Sequence, residues 1–232
     1  MGDLLTDGLL GRSPPYHTAQ ATVAERLRRA VLSGQLAPGS RLLQAAVAED
    51  MKTSTTPVRE ALRELAGEGL LDLDPHRGVV VHQGRAEELE EVYRIRMLLE
   101  PVAIAWTIEH MTPDELAAAG RILDRMEREG DVAEWTLLNA AFHAVLAESS
   151  RSVILSSILR KLRNISAIYV ASSLTPDRIA VANVEHRALL VACADRNLSR
   201  AQEIEVSHLR HTLEVGGRQF GLSGPPARAD GA

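Results

Sequence analysis

The sequence predicts a mainly α-helical chain, with a winged helix-turn-helix unit first and an antiparallel bundle of about six helices after it. Three observations carry that expectation. Ala, Leu, Val, Glu and Arg dominate while aromatics make up only 3%, a balance that favours helix over sheet. The stretch from Ser54 to Leu70, STTPVREALRELAGEGL, opens on hydroxyl residues and a proline, carries an apolar stripe and closes on Gly67 and Gly69. Beyond residue 85, helical periodicity recurs between caps and breakers with no convincing strand.

With 232 residues, 45% of them hydrophobic, the chain can bury one large core or two modest ones, and domain sizes favour two. The expected division is a flexible leader at 1–17, a winged helix-turn-helix unit at 18–83, a helical unit at 84–218 and a flexible tail at 219–232. Gly2, Gly8, Gly11, Pro14 and Pro15 punctuate the leader, which has no apolar period. The single cysteine, Cys193 in ALLVACA, excludes an intrachain disulfide; it reads as a small buried apolar residue, a reactive thiol being the alternative. No apolar run approaches the roughly 20 residues that a bilayer span needs. The N-terminal MGDLLTDGLL carries aspartates instead of a basic signal region, so a soluble cytoplasmic protein with no membrane partner is expected.

Net charge is -5, which alone argues against a nucleic-acid partner. Its distribution changes the picture: residues 17–83 hold eight Lys/Arg and eight Asp/Glu, whereas 84–232 hold 17 against 21. Affinity for DNA must then come from arginines placed on one face.

From Thr18 onward, Val23, Leu27, Ala30 and Val31 recur at helical spacing, with Glu25, Arg26, Arg28 and Arg29 off that stripe, and Gly34 ends the helix. Pro38-Gly39 makes a turn and Arg41 to Leu43 a short strand. Gln44 to Met51 is a short helix with Ala46, Val47 and Met51 as its buried face, and Lys52-Thr53 turns into the next helix. Two helices across a tight turn, with an earlier helix to pack on, make a helix-turn-helix. In the second of them one of Ser54, Thr55 or Thr56 caps the start, Pro57 fits the first turn, and Val58, Ala61, Leu62 and Leu65 face inward. Ser54, Thr55, Thr56, Arg59 and Arg63 then face outward at the end that enters a major groove, although Arg63 could pair with Glu60 instead.

LLDLDPHRGVVVHQ follows as a two-stranded wing, with strands at 70–73 and 79–82 and a turn at Asp74 to Gly78. Arg77 at its tip suits a phosphate or a minor groove, and Gly78 permits close approach of the backbone. One recognition helix covers only a few base pairs, so the expected partners are a pseudo-palindromic double-stranded operator and a second copy of the chain, a homodimer. The competing reading is a winged helix that packs against protein only.

Gln83 to Arg85 is a short hinge. Helices are expected at 86–109, 113–129, 132–148, 152–172, 176–194 and 199–215, with Pro101 kinking the first and TPDE at 112–115 forming a capping box. Asn139 and His143 stand four apart on one helix and share a face. His186 lies eight residues before the end of its helix and His208 nine after the start of the next. At ~1.5 Å per residue the two sit about 12 and 14 Å from the same hairpin end, nearly one layer of an antiparallel pair. Three imidazoles and a side-chain oxygen at one level suit Zn²⁺, Ni²⁺, Mn²⁺ or Fe²⁺. The bland alternative for each is a histidine hydrogen-bonded within a helical core. His17, His76, His82 and His110 read as surface residues.

Residues 22–81, through LRRAVLSGQLAPGSRL, STTPVREALRELAGEGL and PHRGVVV, resemble the winged helix-turn-helix of the GntR family of bacterial transcription regulators. Family members commonly carry Arg directly after the serine that opens the recognition helix; here Thr55 stands in its place, and it could touch a thymine methyl or a phosphate. Residues 86–215 resemble the all-helical, FCD-like effector domain of the FadR-type branch, through RMLLE at 96–100, NAAFH at 139–143 and EHRALL at 185–190. The resemblance implies a divalent metal held by Asn139, His143, His186 and His208, with Asn where relatives often have Asp. It also implies a small organic acid as effector, its carboxylate reaching the metal and a nearby Arg, and by analogy repression released by that acid; Arg96 is the candidate for that Arg, and His211, just under one turn beyond His208, is a candidate to line the cavity. Arg96 could instead pair with Glu100, four residues on, and His211 could simply be exposed. Two rival functions remain: a metal-dependent hydrolase or lyase, in which Glu185 adjoins His186 as a supporting residue, and a regulator that senses the ion itself.

Overall fold

The computed structural model describes residues 18–170 and 174–218; the expected leader and tail, and His17 with them, lie outside the described residues. Helix α1 (Ala19–Leu32) begins where the Thr18 side chain accepts the Ala21 N–H. It ends at Gly34, whose φ of 76° favours a residue without Cβ. Strand β1 (Arg41–Leu42) leads into α2 (Gln44–Asp50), and Lys52, left-handed at φ 50°, makes the tight turn into α3 (Thr55–Gly67).

Two expectations are corrected in this segment. The buried residue of α2 is Ala48, while Ala46 is exposed and Val47 and Met51 are half-buried. A seven-residue helix takes its phase from what it packs on, here α3, because two turns are too few for periodicity to fix it. The wing is also more than a hairpin. Strand β3 (Gly78–Val81) pairs with both β2 (Leu71–Asp74) and β1, giving a three-stranded antiparallel sheet in the order β1-β3-β2. Gly39 N–H donates to the Val81 carbonyl at 2.9 Å and Val81 N–H to the Ser40 carbonyl at 2.8 Å, so the segment before α2 is tied to the wing.

The inner stripe of α3 is as the spacing predicts: Val58, Ala61, Leu62 and Leu65 are buried beside Val23, Leu27 and Val31 of α1. Ser54 occupies the cap position of α3 without a side-chain hydrogen bond to the helix.

Six helices follow: α4 (Ala86–His110), α5 (Pro113–Met126), α6 (Val132–Ser149), α7 (Val153–Val170), α8 (Pro176–Ala194) and α9 (Leu198–Arg218). Side-chain caps set several of their starts, although not that of α4. Thr112 and Glu115 form the reciprocal capping box, and Asp131 and Thr175 accept the N–H groups of Glu134 and Arg178. Helix α4 runs through Pro101, whose carbonyl accepts Gln202 Nε2 at 2.9 Å. Ile104, Leu123, Met126, Phe142, Leu146 and Leu189 lie in the main core of the bundle, and Cys193 lies beside them with its thiol pushed up to about 12 by burial. None of the described helices is long and apolar enough to cross a membrane.

The two parts are packed together. Leu137 of α6 and Ala167 and Ile168 of α7 press on the core of the winged unit. Arg29 of α1 pairs with Glu134 of α6, and Asn164 of α7 donates to the Glu68 carbonyl at 3.1 Å. Gly84, in the link to α4, lies so close to Tyr169 of α7 that any Cβ there would fall inside the phenol.

Candidate functional site

Ser54, Thr55, Thr56, Arg59 and Arg63 are all exposed along α3, because the buried stripe of that helix occupies its other face. Arg59 and Arg63 enter no ion pair among the described residues, so both charges stay available to an anion. At the wing tip the Asp74 carboxylate accepts the N–H groups of His76 and Arg77, each at 2.7 Å, which holds the turn. Arg77 is exposed and donates one bond to the Gly39 carbonyl at 3.1 Å, and Gly78 has the left-handed φ of 79° that spares a side chain.

In the helical part, three histidines from three helices meet. His143 of α6 and His186 of α8 bring their Nε2 atoms to 3.2 Å. The His208 ring of α9 lies with its centroid 4.7 Å from that of His186 and 6.0 Å from that of His143. One nitrogen from each falls within 4.8 Å of the others. The α8–α9 hairpin thus does bring His186 and His208 to one level, and α6 supplies the third.

All three rings are buried and held neutral. Burial lowers the pKa of His143 and His186 well below the usual imidazole value, helped by nearby Arg163 and His208 respectively. For His208 burial also wins, although the Glu185 carboxylate pulls the other way. Glu185 Oε2 accepts His208 Nδ1–H at 2.6 Å, which leaves Nε2 of that ring as the lone-pair nitrogen. Glu185 is itself partly buried, yet His208, His211 and Arg178 hold it down at about 2. Asn139 Oδ1, His143 Nδ1 and His186 Nδ1 are buried without a hydrogen-bond partner. Such orphaned atoms in a packed interior cost on the order of 1–3 kcal/mol each unless something satisfies them.

A cavity of about 940 Å³ opens beside this cluster and is lined by Asn139, His143, His208, Arg96, Arg163 and Arg178 among others. Arg96 is buried, donates from Nε to Glu100 at 2.7 Å and from Nη1 to Ser166 at 2.8 Å, and stacks over Tyr93. It therefore lines the cavity and also makes the helix-spaced pair with Glu100. His211 is exposed and bonds to Glu185 at 2.7 Å, on the other oxygen from the one His208 uses.

Arg163, Glu100 and Glu205 complete the polar heart, and sequence reasoning did not single them out as site residues. Arg163 bridges Glu100 at 2.5 Å and the His143 carbonyl at 2.9 Å. Burial would raise the Glu100 carboxyl, but Arg163 and Arg96 hold it well below the carboxylate range. Glu205 is buried beside that charge, and burial and then the Glu100 carboxylate raise its carboxyl well above the usual range. Two guanidiniums against one carboxylate leave one positive charge in excess next to neutral imidazoles, a field that favours an anion. The signal in the sequence was placement. Arg163 follows Leu159 by four and precedes Ser166 by three on the buried stripe of α7, and Glu205 shares the α9 core stripe with Ala201 and His208.

His82, expected at the surface, is buried. Its Nδ1 lies 3.0 Å from both oxygens of Asp72, and its Nε2 lies 3.2 Å from Glu88 but off line for a hydrogen bond. The packing of α4 and α7 against the wing covers it, and no local pattern records that. His76 and His110 are exposed as expected.

Comparison with known proteins agrees with this geometry. The model for bacterial regulatory proteins of the gntR family matches residues 19–81, and the FCD domain model matches residues 91–211. The chain is 26% identical over 215 residues to the uncharacterized HTH-type transcriptional regulator YdhC of Bacillus subtilis (strain 168), covering 90% of this chain and 95% of that one. It is 25% identical over 202 residues to the HTH-type transcriptional repressor GlaR of Escherichia coli (strain K12), covering 82% and 91%. Among solved structures, E. coli McbR/YncC superposes with a TM-score of 0.77 at 24% identity, covering 88% of this chain and 99% of that one, which shows a shared fold.

Proposed function

Because the chain belongs to the GntR family of bacterial regulatory proteins, in the branch that carries an FCD domain, we propose that it is a homodimeric repressor whose grip on its operator is controlled by a small organic acid at a metal centre. Membership makes it a DNA-binding transcription regulator, and its relatives are regulators and not enzymes, which sets aside the hydrolase or lyase reading. Residues 18–83 would read DNA, with Ser54, Thr55, Thr56, Arg59 and Arg63 at the major groove and Arg77 and Gly78 at the backbone or minor groove. Residues 84–218 would bind the effector and dimerise, and the site of action is the cytoplasm, with the DNA.

The observation that carries the metal is the donor set. Three imidazoles already neutral, with nitrogens within 4.8 Å, need lose no proton to ligate, and the orphaned Asn139 Oδ1 lies one turn from His143. Asn139, His143, His186 and His208 would hold Zn²⁺, Ni²⁺, Mn²⁺ or Fe²⁺, which would supply a Lewis-acid anchor for a carboxylate. The excess positive charge of Arg96 and Arg163 over Glu100 favours the same acid, and the cavity gives it room. A regulator that sensed only the ion would have no use for that space. The test is elemental analysis of the protein as purified and of the His143→Ala/His208→Ala variant. Stoichiometric metal in the first and none in the second is expected, and equal metal in both would refute the site. DNA binding that responds to chelator alone, with no effect of any acid, would favour the ion as effector.

For the dimer, the support is one apolar face. Helices α4 and α7 run antiparallel, with Leu99 and Ala103 packed on Leu155 and Leu159. One residue back on each helix, Leu98 (73% exposed), Val102, Ile154 (76% exposed) and Ile158 turn to a common side and lie open.

A further inference from the structure

The cavity beside the histidines is not a property of the bundle alone. Four residues of its wall, Glu25, Arg28, Arg29 and Leu32, belong to α1, the first helix of the DNA-binding unit. From α6 the same lining takes Ala140, Ala141, Ala144 and Ala147, a track of small side chains that leaves the groove open. An acid of two or three carbons displaces two or three waters, at ~30 Å³ each, and would occupy about a tenth of the 940 Å³ available. The whole volume instead matches the roughly 300–1,000 Å³ of pockets that enclose larger ligands. Two residues that clamp the winged unit onto the bundle, Glu134 (to Arg29) and Asn164 (to the Glu68 carbonyl), also line this space.

Building on the acid-effector reading, we propose that the effector is a carboxylic acid with an extended alkyl or aryl body, and that this body lies along the α6 alanine track with its far end against α1. The carboxylate gives the ligand its anchor at the polar end. The body gives it contact with the DNA-binding unit, so length decides which acids act on that unit and which merely bind. A ligand that presses on α1 or on its Arg29–Glu134 clasp has different contacts in the docked and undocked arrangements, which is the condition for shifting between them. Short acids lack that differential contact and would be silent occupants.

The test uses the full-length protein as purified and the straight-chain acids acetate, hexanoate and decanoate. Calorimetry should show affinity rising at least tenfold from acetate to decanoate, and hydrogen exchange of residues 25–32 should slow with decanoate but not with acetate. Ala140→Phe, which fills the track, should spare acetate and cost decanoate most of its advantage; if that variant does not fold, the length series on the unaltered chain decides. Equal affinity along the series, or binding of acetate alone, overturns the extended body while leaving an acid effector in place. A length gain without any change in α1 exchange overturns the contact with the DNA-binding unit. Binding of no acid at any length overturns the acid-effector reading and this inference with it.

Discussion

Glu100 lies fully buried between the guanidiniums of Arg96 and Arg163, and both depend on it for their countercharge. Glu100→Gln removes that charge from beside Arg96 and the half-buried Arg163 and leaves the neighbouring Glu205 as the carboxyl able to replace it, so a loss smaller than the ~3–5 kcal/mol of a wholly uncompensated buried charge is expected by urea unfolding. Stability unchanged within error would show that solvent already screens the cluster. Arg59 stands at the opposite extreme, exposed on α3 with its charge in no ion pair among the described residues. Arg59→Ala should weaken binding to DNA selected by the unaltered protein by about 1–3 kcal/mol, read by fluorescence anisotropy, with the helical circular dichroism intact. Normal affinity would remove Arg59 from the interface. The difference between these residues also explains what could be read from the sequence. Exposure of Arg59 follows from the 3.6-residue stripe of its own helix, whereas the environment of Glu100 is made by Arg163, 63 residues away, and that of His82 by Asp72 and Glu88 on two other elements.

At the level of elements, caps were the most legible feature. The capping box of α5 stands where TPDE placed it, and its Glu115 has a second partner, Arg151 of the α6–α7 turn, at 2.6 Å. The Arg151 hydrogen bond and then the Thr112 N–H hold the Glu115 carboxyl at about 2, below its usual value of 4.5. A depressed folded-state pKa binds fewer protons than the unfolded chain, so this contribution is complete above about pH 4.5 and fades as pH falls toward 2. The Arg151 partner is exposed and solvent reaches the pair, so the gain is small, under about 1 kcal/mol. Comparing Glu115→Gln with the unaltered chain by thermal melts should show a gap at pH 6 that closes near pH 2; a gap that is constant with pH would point to packing instead. The α8–α9 hairpin was equally readable, because rise per residue and an antiparallel turn fix depth. Strand β1 was not read as a third member of the sheet, since two residues carry no period and its pairing is set by β3, some 40 positions on.

For the molecule as a whole, the order of its parts was legible and their docking was not. Composition and periodicity separate a winged unit from a bundle, but Arg29 to Glu134 and Glu68 to Asn164 join residues about a hundred positions apart. The open apolar face of α4 and α7 belongs to this scale too. If the chain forms the proposed dimer through this face, Leu98→Asp combined with Ile154→Asp should leave a monomer in sedimentation at micromolar concentration without loss of helix, and a persistent dimer would move the interface elsewhere, for instance to the exposed valines of α8, Val184 and Val191. The closeness of Gly84 to Tyr169 has a mechanical corollary. The chain leaving the wing is wedged beneath a phenol that is itself tethered to Glu88 of α4, so the winged unit has no free swivel at that point. A swing that displaced Gly84 would push Tyr169 and with it α7, the helix whose Arg163 grips the backbone of His143. Such a joint would act as a crank, with the reading head at one end of the linkage and the histidine pocket at the other.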